Sequence, residues 1–493
     1  MTTSARTSSF TALALLALAG GCTVGPDYKS RETAMPEAWA SPLGGGETAQ
    51  AANLATWWTN LSDPQLTSLV DRAVDGNLDL AEASARVREA RALRGIAAAD
   101  GLPKIDATGR YNRSRRSENV GGGNNNDAFR EDDGGADLYT AGFDATWEID
   151  VFGGIRRGVE AADADIGAAV ESRRDVLVSL AAEVARNYTE LRAFQSRLAI
   201  AQENVRAQND TLTVTRARSA AGLTSDLDTA RAESNLATTQ AAIPPFESGI
   251  RASIYRLAVL VGVQPGQLVN ELTPTAQIPR SPDTVPVGMP SELLRRRPDV
   301  RKAERDIAAA TARIGVATAD LFPKFSLTGQ FGLSSAQIGN LTEGNSRYWL
   351  IGPDVRWPIF QGGRIRSNIE VQTAREQQAA ARYEKAVLTS LQDVETALVN
   401  FSREQDRRVR LREAVTANQR AVDISQSLYG KGLTDFQSVL DSQRQLFQTQ
   451  DALVVSERDV TQNLIALYKA LGGGWESELQ AAQATIQNPA PTP

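Results

Sequence analysis

The side chains that perform most enzyme chemistry are scarce in this sequence. Its 493 residues include no histidine and one cysteine, Cys22. The absence of histidine excludes Ser-His-Asp and Cys-His catalysis, imidazole metal sites and the commonest general base. A single cysteine forms no intrachain disulfide and no multi-cysteine zinc or iron–sulfur site. The carboxylates are spread along predicted helical faces. We therefore predict that the chain is not an enzyme and that it needs no metal or organic cofactor.

The composition is that of a large folded chain without the surface charge that nucleic acids require. Hydrophobic residues make up 42% and charged residues 23% of the sequence. The 53 basic residues are outnumbered by 59 acidic ones, and the net charge is −6. Binding to the phosphate backbone depends on an excess of Lys and Arg, so DNA and RNA are not expected as partners.

The single cysteine lies directly after a secretory signal. Residues 1–21 contain an apolar run over 10–19 and two glycines before Cys22. This run is about ten residues long, against the roughly 20 that a helix needs to cross a bilayer, so we expect residues 1–21 to be removed. The tetrapeptide Ala-Gly-Gly-Cys resembles the lipobox of bacterial lipoproteins, although Ala19 stands where leucine is usual. The resemblance implies N-acyl and S-diacylglycerol groups on Cys22. Thr23 after it resembles the sorting residue of a lipoprotein destined for the outer membrane, and an ordinary signal peptide with a chance cysteine is the alternative.

The rest of the chain contains two copies of one unit. Five landmarks recur in the same order about 210 to 220 residues apart, which indicates duplication of a unit near 200 residues. The paired landmarks are 77–80 with 297–300, 102–109 with 322–329, 152–154 with 360–363, 222–224 with 432–434, and 260–262 with 470–472. The predicted organisation is a signal peptide over 1–21, an acylated extended segment over 22–63, a first repeat over 64–262, a proline-rich linker over 263–290, a second repeat over 291–471 and a tail over 472–493.

Hydrophobic periodicity predicts one very long helix in each repeat. Apolar residues step by three and four along Leu177–Leu198, and neither proline nor glycine interrupts 168–221. The second repeat shows the same pattern along Tyr383–Phe401, in a helix predicted over about 363–429. At 1.5 Å per residue such a helix is roughly 100 Å long, which no ordinary compact domain requires.

The helices that follow carry two further signals. A strict heptad repeat of apolar residues runs along Val439–Leu467 and predicts left-handed supercoiling against neighbouring helices. Pro244 and Pro245 fall inside the helical segment 225–262 and predict a bend there, because a proline removes a backbone hydrogen bond.

Between the helices lie segments that alternate with period two. We predict two hairpins, over about 104–150 and 324–358, whose strands have the length of tilted transmembrane β-strands. In the first hairpin, every second side chain of 105–111 and of 139–147 is apolar or small, and the interleaved residues are largely polar. This pattern suits a barrel with lipid outside and water inside, although a half-exposed soluble sheet would show the same alternation. Four strands cannot close a barrel and lipid tolerates no open sheet edge, so a membrane location requires several chains to associate.

Several motifs point to one protein family. They are Gly21–Tyr28, Trp57–Trp58, Asp63–Leu66, Val287–Val300 and Asp320–Phe325. These segments resemble those of the TolC-like outer membrane efflux lipoproteins, the OprM and NodT branch, and the resemblance covers nearly the whole mature chain. It implies an α+β membrane protein: a homotrimer whose 12-stranded transmembrane β-barrel, with four strands per chain, continues into a long 12-helix periplasmic α-helical coiled-coil tunnel.

The function implied by the resemblance is that of a gated outer membrane channel in a tripartite efflux system. Such a channel exports small molecules such as drugs and toxic compounds. The implied partners are two further copies of the chain, a periplasmic adaptor (membrane fusion) protein, an inner membrane pump of the resistance-nodulation-division class, and outer membrane lipid. Two alternatives remain open: a channel for type I protein secretion, and a lipid-anchored coiled-coil scaffold without a pore, which would leave the alternating strands unexplained.

The resemblance also assigns the periplasmic gate. Ser438–Arg444 resembles the family segment whose aspartate lines the constricted end of the tunnel, so Asp441 carries that role. Arg444 lies on the same helix face and would pair with Asp441 or with a neighbouring chain. Ser438 stands where TolC has a second acidic residue, and Asp228 of the first repeat, which aligns with it, is assigned to the gate as a substitute. The alternative for Asp441 is a solvated carboxylate on a coiled-coil surface.

Two helix-to-helix turns are predicted to form the periplasmic tips. Their glycines allow a positive φ after each long helix, and their hydroxyl and carboxylate side chains can cap the helices that follow. The resemblance implies that the turns contact the adaptor, whereas the alternative is that they are simply well-made helical turns. The residues assigned to the tips are Gly222, Leu223, Thr224 and Ser225 in the first repeat, and Gly432, Leu433, Thr434 and Asp435 in the second.

Overall fold

The computed structural model describes residues 23–31, 33–41, 44, 47–48, 50, 54–115, 136–282 and 285–476. Cys22 and the predicted signal peptide lie outside the described residues, as do most of the first hairpin loop and most of the C-terminal tail.

The described residues are mainly helical, with a few strands. The helices are α1 (Pro64–Gly76), α2 (Leu78–Ala99), α3 (Gly154–Ala220), α4 (Asp226–Ala241), α5 (Ile243–Val261), α6 (Val269–Leu272), α7 (Leu293–Arg296), α8 (Pro298–Ala319), α9 (Arg364–Gly430) and α10 (Phe436–Ala470). Short 3-10 helices lie at Trp57–Leu61, Pro290–Glu292, Ile338–Asn340 and Gly344–Ser346. The strands are β1 (Glu47–Thr48), β2 (Lys104–Ser114), β3 (Ala136–Ile149), β4 (Val285–Pro286), β5 (Lys324–Ser335) and β6 (Arg347–Arg356).

These elements divide into two units, each assembled from three stretches of chain. Unit 1 takes its described residues from Met1–Ser30, Arg88–Gly167 and Glu304–Ala381. Unit 2 takes them from Arg31–Val87, Ala168–Ala303 and Arg382–Pro493.

The centre of unit 1 is a four-stranded antiparallel sheet in the order β2-β3-β5-β6. Ile105 lies opposite Ala145, Ala107 opposite Phe143 and Tyr111 opposite Tyr139. Side chains directly opposite each other share a face of a sheet. The apolar positions of the two strands therefore lie on one face, as their alternation predicts.

The two very long helices are α3 and α9, and each has 67 residues. The predicted second helix, over about 363–429, agrees with α9 to within a residue or two. The predicted first helix begins too late, because α3 starts at Gly154 and continues through Gly167. A Cβ on Gly167 would lie 3.2 Å from Cδ of Arg305. The glycine at this point leaves room for a neighbouring side chain and does not end the helix.

The helical segment after the first long helix is interrupted near its prolines, as predicted. Helix α4 ends at Ala241, and α5 begins at Ile243, just before Pro244. Proline suits the first turn of a helix, where its missing N–H would have no intrahelical acceptor. The residues after α5 contain the short helix α6 and strand β4, and β4 pairs in parallel with β1.

Unit 2 is built around one hydrophobic core to which both halves of the chain contribute. Helix α1 starts at the capping residue Asp63, whose carboxylate accepts hydrogen bonds from the backbone N–H groups of Gln65 and Leu66. Full burial of a leucine or valine side chain contributes about 1.5–3 kcal/mol, so the hydrophobic core of unit 2 is a major source of its stability. Its fully buried members include Trp57, Leu69, Val184, Leu191, Leu257, Val394, Phe401, Val460 and Leu467.

The ends of helices α1 and α5 approach each other too closely for any side chain. Gly262 has a φ of +80°, and a Cβ placed on it would lie 2.0 Å from the carbonyl oxygen of Gly76. A Cβ on Gly76 would in turn lie 2.4 Å from the carbonyl oxygen of Val261. The space at both positions admits only glycine, and at Gly262 the left-handed backbone favours glycine as well.

Among the described residues, no helix combines the length and the apolar composition that crossing a membrane requires.

Candidate functional site

One face of the sheet in unit 1 carries large apolar side chains that are exposed in the single chain. Phe143 on β3 lies opposite Phe331 on β5, and Phe331 lies opposite Trp349 on β6. These three residues are 57%, 60% and 74% exposed. A contiguous patch of this kind marks a surface that contacts protein or membrane.

The other face of the same sheet is polar. Asp106 lies opposite Asp144, and Asp144 lies opposite Gln330. The hydroxyl of Thr108 donates a hydrogen bond to Oδ2 of Asp144 over 3.1 Å. The sheet is therefore amphipathic, with aromatic residues on one side and carboxylate, amide and hydroxyl groups on the other.

Each hairpin is joined to the helix before it by the same tryptophan contact. Nε1 of Trp147 donates to the carbonyl oxygen of Gly101 over 2.9 Å, and Nε1 of Trp357 donates to that of Leu321 over 3.0 Å. Tryptophan with its N–H satisfied is typical of positions where an apolar layer meets water. A salt bridge of 3.0 Å lies beside each contact: Lys104–Asp100 in the first half of the chain and Lys324–Asp320 in the second.

Thr23, the residue after Cys22, packs against the connection between strand β3 and helix α3. A Cβ on Gly153 would lie 2.6 Å from Cγ2 of Thr23, and Gly153 itself has a φ of +77°. The backbone N–H of Val24 donates to the carbonyl oxygen of Phe152 over 3.2 Å. The start of the described chain is thus held where the first hairpin meets α3.

A buried arginine fixes this N-terminal segment. The side chain of Arg157 is only 4% exposed. Its Nε donates to the carbonyl oxygen of Val24 over 3.2 Å, and its terminal nitrogens pair with Asp27 at 2.5 Å and Glu160 at 2.7 Å. These carboxylates raise the pKa of Arg157 against the effect of burial, which lowers it and is the largest single influence. The guanidinium remains charged and holds the segment to helix α3.

The two predicted tip turns have the same backbone structure. Gly222 and Gly432 have φ values of +70° and +74°. The N–H of Leu223 donates to Arg218 O and that of Leu433 donates to Leu428 O, each over 2.9 Å. This pattern closes a helix through a left-handed glycine. Glycine takes this conformation without the steric cost that any other residue would incur there.

The capping predictions for these turns are confirmed in one turn and only partly met in the other. Asp435 accepts hydrogen bonds from the hydroxyl of Ser438 at 2.7 Å and from its backbone N–H at 3.0 Å, and so caps α10. The same bonds lower the pKa of Asp435. Ser225 occupies the capping position of α4 but its side chain makes no capping hydrogen bond. The hydroxyl of Thr224 donates instead to the carboxylate of Asp228.

The four gate residues have separate partners within one chain. Asp441 is exposed and accepts a hydrogen bond from Nε2 of Gln437 over 2.9 Å. Nε of Arg444 donates to Oδ1 of Asn235 on helix α4 over 3.0 Å. In the part of the chain that the structure describes, no salt bridge joins Asp441 to Arg444. Ser438 thus belongs to the cap of α10, and Arg444 connects α10 to α4. Asp441 faces solvent.

Another charged residue at this end of unit 2, Arg231, is not predicted by the gate motif. Arg231 lies 3.9 Å from Oδ1 of Asp228, and its positive charge contributes to the lowered pKa of Asp435. It therefore acts on the starts of both α4 and α10. The signal that could have revealed it is positional: Arg231 and Asp441 are 210 residues apart, as Gly222 and Gly432 are, so the two halves carry opposite charges at equivalent positions.

A second arginine joins the two tips directly. Arg218 donates to the carbonyl oxygens of Tyr429 at 3.2 Å and Gly430 at 3.4 Å. Its guanidinium lies 4.7 Å from the centre of the Tyr429 ring, and that ring lies 5.5 Å from the ring of Phe436. A cation at a helix C-terminus is favourable because unpaired carbonyl groups concentrate negative charge there. Arg218 of the first half thus stabilises the end of the long helix of the second half.

An amphipathic four-stranded sheet and two 67-residue helices characterise the described part of the chain. The family model described as "Outer membrane efflux protein" matches residues 69–263 and again 289–473. The chain belongs to the outer membrane efflux protein family, and it is a protein of the outer membrane.

Individual relatives and a solved structure agree with this family. Nodulation protein T of Rhizobium leguminosarum bv. trifolii is 32% identical over 466 residues, which is 94% of this chain and 97% of the relative. The pyoverdine export outer membrane protein OpmQ of Pseudomonas aeruginosa is 33% identical over 464 residues, 94% of this chain and 96% of the relative. The solved structure of the outer-membrane channel OprN has a TM-score of 0.84 and 34% identity, and the match covers 92% of this chain and all of that one.

Proposed function

We propose that three copies of this chain form a gated outer membrane channel that exports small molecules delivered by an inner membrane pump and a periplasmic adaptor. The observation that carries the proposal is the amphipathic four-stranded sheet. Its exposed aromatic face suits contact with lipid, and its polar face suits a lumen filled with water. The name of the pyoverdine exporter supports a small molecule as cargo.

The trimer follows from the edges of the sheet. Among the described strands, β2 pairs only with β3 and β6 pairs only with β5, so each chain has two edges with unpaired backbone groups. Lipid offers these groups no hydrogen-bond partner. Neighbouring copies remove the edges by pairing β6 of one with β2 of the next. Three copies would supply twelve strands, which is enough for a closed barrel with a channel inside.

Internal duplication is supported by the two family matches and by the two sets of corresponding elements. Each half contains a helix, a strand pair, a 67-residue helix and a further helical segment. In a trimer, two such halves per chain give six similar units around one axis. Each half supplies one 67-residue helix and one further helical segment, so we propose a periplasmic tunnel of 12 helices.

The tip turns are proposed to receive the adaptor. Leu223 and Leu433 are 67% and 71% exposed, so both side chains are available to a partner. They stand at equivalent positions of the two turns, and both follow a glycine with positive φ. A partner that buries both leucines would gain about 1.5–3 kcal/mol from each.

We further propose that Cys22 carries N-acyl and S-diacylglycerol groups. The support is the position of Thr23 beside Gly153, in the short connection between strand β3 and helix α3. A lipid attached one residue earlier would start close to this end of the sheet. The contacts of Arg157 would then connect the lipid anchor to helix α3.

The gate is proposed to lie at the start of helices α4 and α10. Three Asp441 carboxylates near a common axis would attract cations. The bond from Arg444 to Asn235 would hold the two helices of each chain together, whereas the pair of Asp228 with Arg231 lies within α4. Opening would separate the two helices, so the Arg444–Asn235 bond would favour the resting state.

Conductance across planar bilayers tests the proposal. The purified wild-type protein should give small, cation-selective currents in steps that correspond to trimers. The Asp441→Ala, Arg444→Ala double variant should give larger currents, because both the charge ring and the tie are lost. Intact oligomers of both proteins without any current would contradict the channel function and would favour the scaffold without a pore.

A further inference from the structure

A polar cavity lined by several arginines lies in unit 2, away from the tips and the proposed gate. Its volume is about 510 Å³. Its walls come from helices α3, α9 and α10 and from the segment 277–281, which lies between α6 and β4. The charged residues that line it are Arg280, Arg408, Arg412 and Glu457.

Among the described residues that line this cavity, the positive charges exceed the negative ones. Arg412 pairs with Glu457, its terminal nitrogen 2.9 Å from Oε1. Within the described part of the chain, Arg280 donates to the neutral side chain of Gln277, over 3.3 Å. Three arginines and one glutamate leave an excess of two positive charges. The walls therefore attract an anion.

Arg408 is the group with the least compensation. Within the described part of the chain it has no carboxylate partner, and its Nε is buried without a hydrogen-bond acceptor. Burial lowers the pKa of Arg408, and the charge of Arg412 lowers it further, while Glu457 acts in the opposite direction. A buried donor on a charged group is costly to leave unpaired.

Three hydroxyl groups line the cavity, and each donates to a backbone carbonyl oxygen. Oγ of Ser196 donates to Arg192 O, Oγ of Ser281 to Pro282 O, and Oγ1 of Thr461 to Pro279 O. Most of the remaining donors of the cavity are guanidinium N–H groups, whose planar fork matches the oxygens of phosphate.

We propose that this cavity binds a doubly charged tetrahedral oxyanion of the phosphate class, with Arg408 as its central ligand. The anion would balance the excess of two positive charges and accept hydrogen bonds from the guanidinium groups that line the cavity. It would also connect the segment 277–281 to helices α9 and α10. Occupancy would therefore stabilise the folded chain in proportion to anion concentration.

The test uses the full-length protein in detergent, titrated with inorganic phosphate by calorimetry, with sodium chloride at matched ionic strength as the reference. Wild type should bind one phosphate per chain, and its Tm should rise with phosphate concentration. Arg408→Gln should weaken binding by about tenfold or more, the effect of losing one charge-assisted hydrogen bond. Arg408→Lys keeps the positive charge but loses the planar guanidinium, so its phosphate affinity should lie between those of wild type and Arg408→Gln. Glycerol phosphate in place of inorganic phosphate distinguishes a phosphorylated headgroup from the free ion.

Arg410→Gln is the matched control on the same helix. Arg410 pairs with Glu413 at 3.0 Å on the exposed surface and is not part of the cavity wall. It should bind phosphate as wild type does. Equal phosphate binding by wild type and both Arg408 variants would overturn the proposal, as would an equal loss in Arg410→Gln. An oligomer that dissociates in Arg408→Gln while wild type ignores phosphate would also overturn it, because an acidic side chain of a second copy would then occupy the cavity.

Discussion

Replacing Arg444 with alanine is expected to increase the time that the channel spends open. Nε of Arg444 donates to Oδ1 of Asn235 over 3.0 Å and so connects helix α10 to helix α4. Asn235 is only 4% exposed, whereas Arg444 itself is exposed to solvent. The acceptor of this hydrogen bond, Asn235, is therefore buried, whereas the donor, Arg444, is screened by water.

The size of the effect follows from this mixed environment. A hydrogen bond from a charged donor contributes about 1.5–3 kcal/mol when it is buried. Solvent on the arginine side reduces this to about 0.5–1 kcal/mol, the range of exposed ionic contacts. In the proposed trimer, three chains that open together would lose three such bonds, or about 1.5–3 kcal/mol. This corresponds to roughly a 10- to 100-fold rise in the ratio of open to closed channels.

Single-channel recording in planar bilayers measures this ratio directly. Asn235→Ala should have a similar effect, and the double variant should add little, because either change removes the same bond. Arg403→Ala serves as the control, since its pair with Asp406 is exposed on both sides and lies on helix α9. An unchanged open probability in Arg444→Ala, or full additivity with Asn235→Ala, would refute the role assigned to this bond.

Three further predictions concern the stability of unit 2. Gly262→Ala should lower the free energy of unfolding by more than about 1 kcal/mol in urea denaturation, because the backbone is left-handed there and the new Cβ would meet Gly76 O at 2.0 Å. Arg192→Met should cost about 2–4 kcal/mol in the same assay, since Arg192 is 1% exposed and donates to Gln195 and to a backbone carbonyl, which would lose their donor. Burial raises the pKa of Tyr188 to about 12, so the stability from its neutral hydroxyl should be present below about pH 10 and be lost as pH rises towards 12. Unfolding measured from pH 9 to 12 should show a larger loss of stability in wild type than in Tyr188→Phe, because burial raises the pKa of Tyr28 and Tyr468 as well.

The long helices and the strand faces could be predicted because both depend on local periodicity. A core-facing stripe needs an apolar residue every three or four positions, and Leu177, Val184 and Leu191 are indeed buried. The alternation in the hairpins likewise determines which residues share a face. The start of α3 could not be predicted, because a glycine within a helix is tolerated when a neighbour packs against it, as Arg305 does against Gly167.

The candidate gate residues could be proposed from sequence, but their contacts within the chain could not. A motif identifies Asp441 and Arg444, yet the partner of Arg444 lies 209 positions away on another helix. Such a contact depends on how two helices are rotated against each other, and no local pattern encodes that rotation. The same holds for Arg218, whose acceptors are the last carbonyls of helix α9.

The contacts between the two tips depend on sequence differences between the two halves of the chain. Arg218 and Leu428 are 210 residues apart and therefore occupy equivalent positions, but only the arginine can donate to the carbonyl groups at the end of the other long helix. The second half returns a contact through Arg444, which donates to Asn235 of the first half. Two copies of the first half would place a cation at both helix ends and would lack the bond from Arg444 to Asn235. The divergence between the halves thus gives each chain a directed pair of contacts at the end where the gate is proposed.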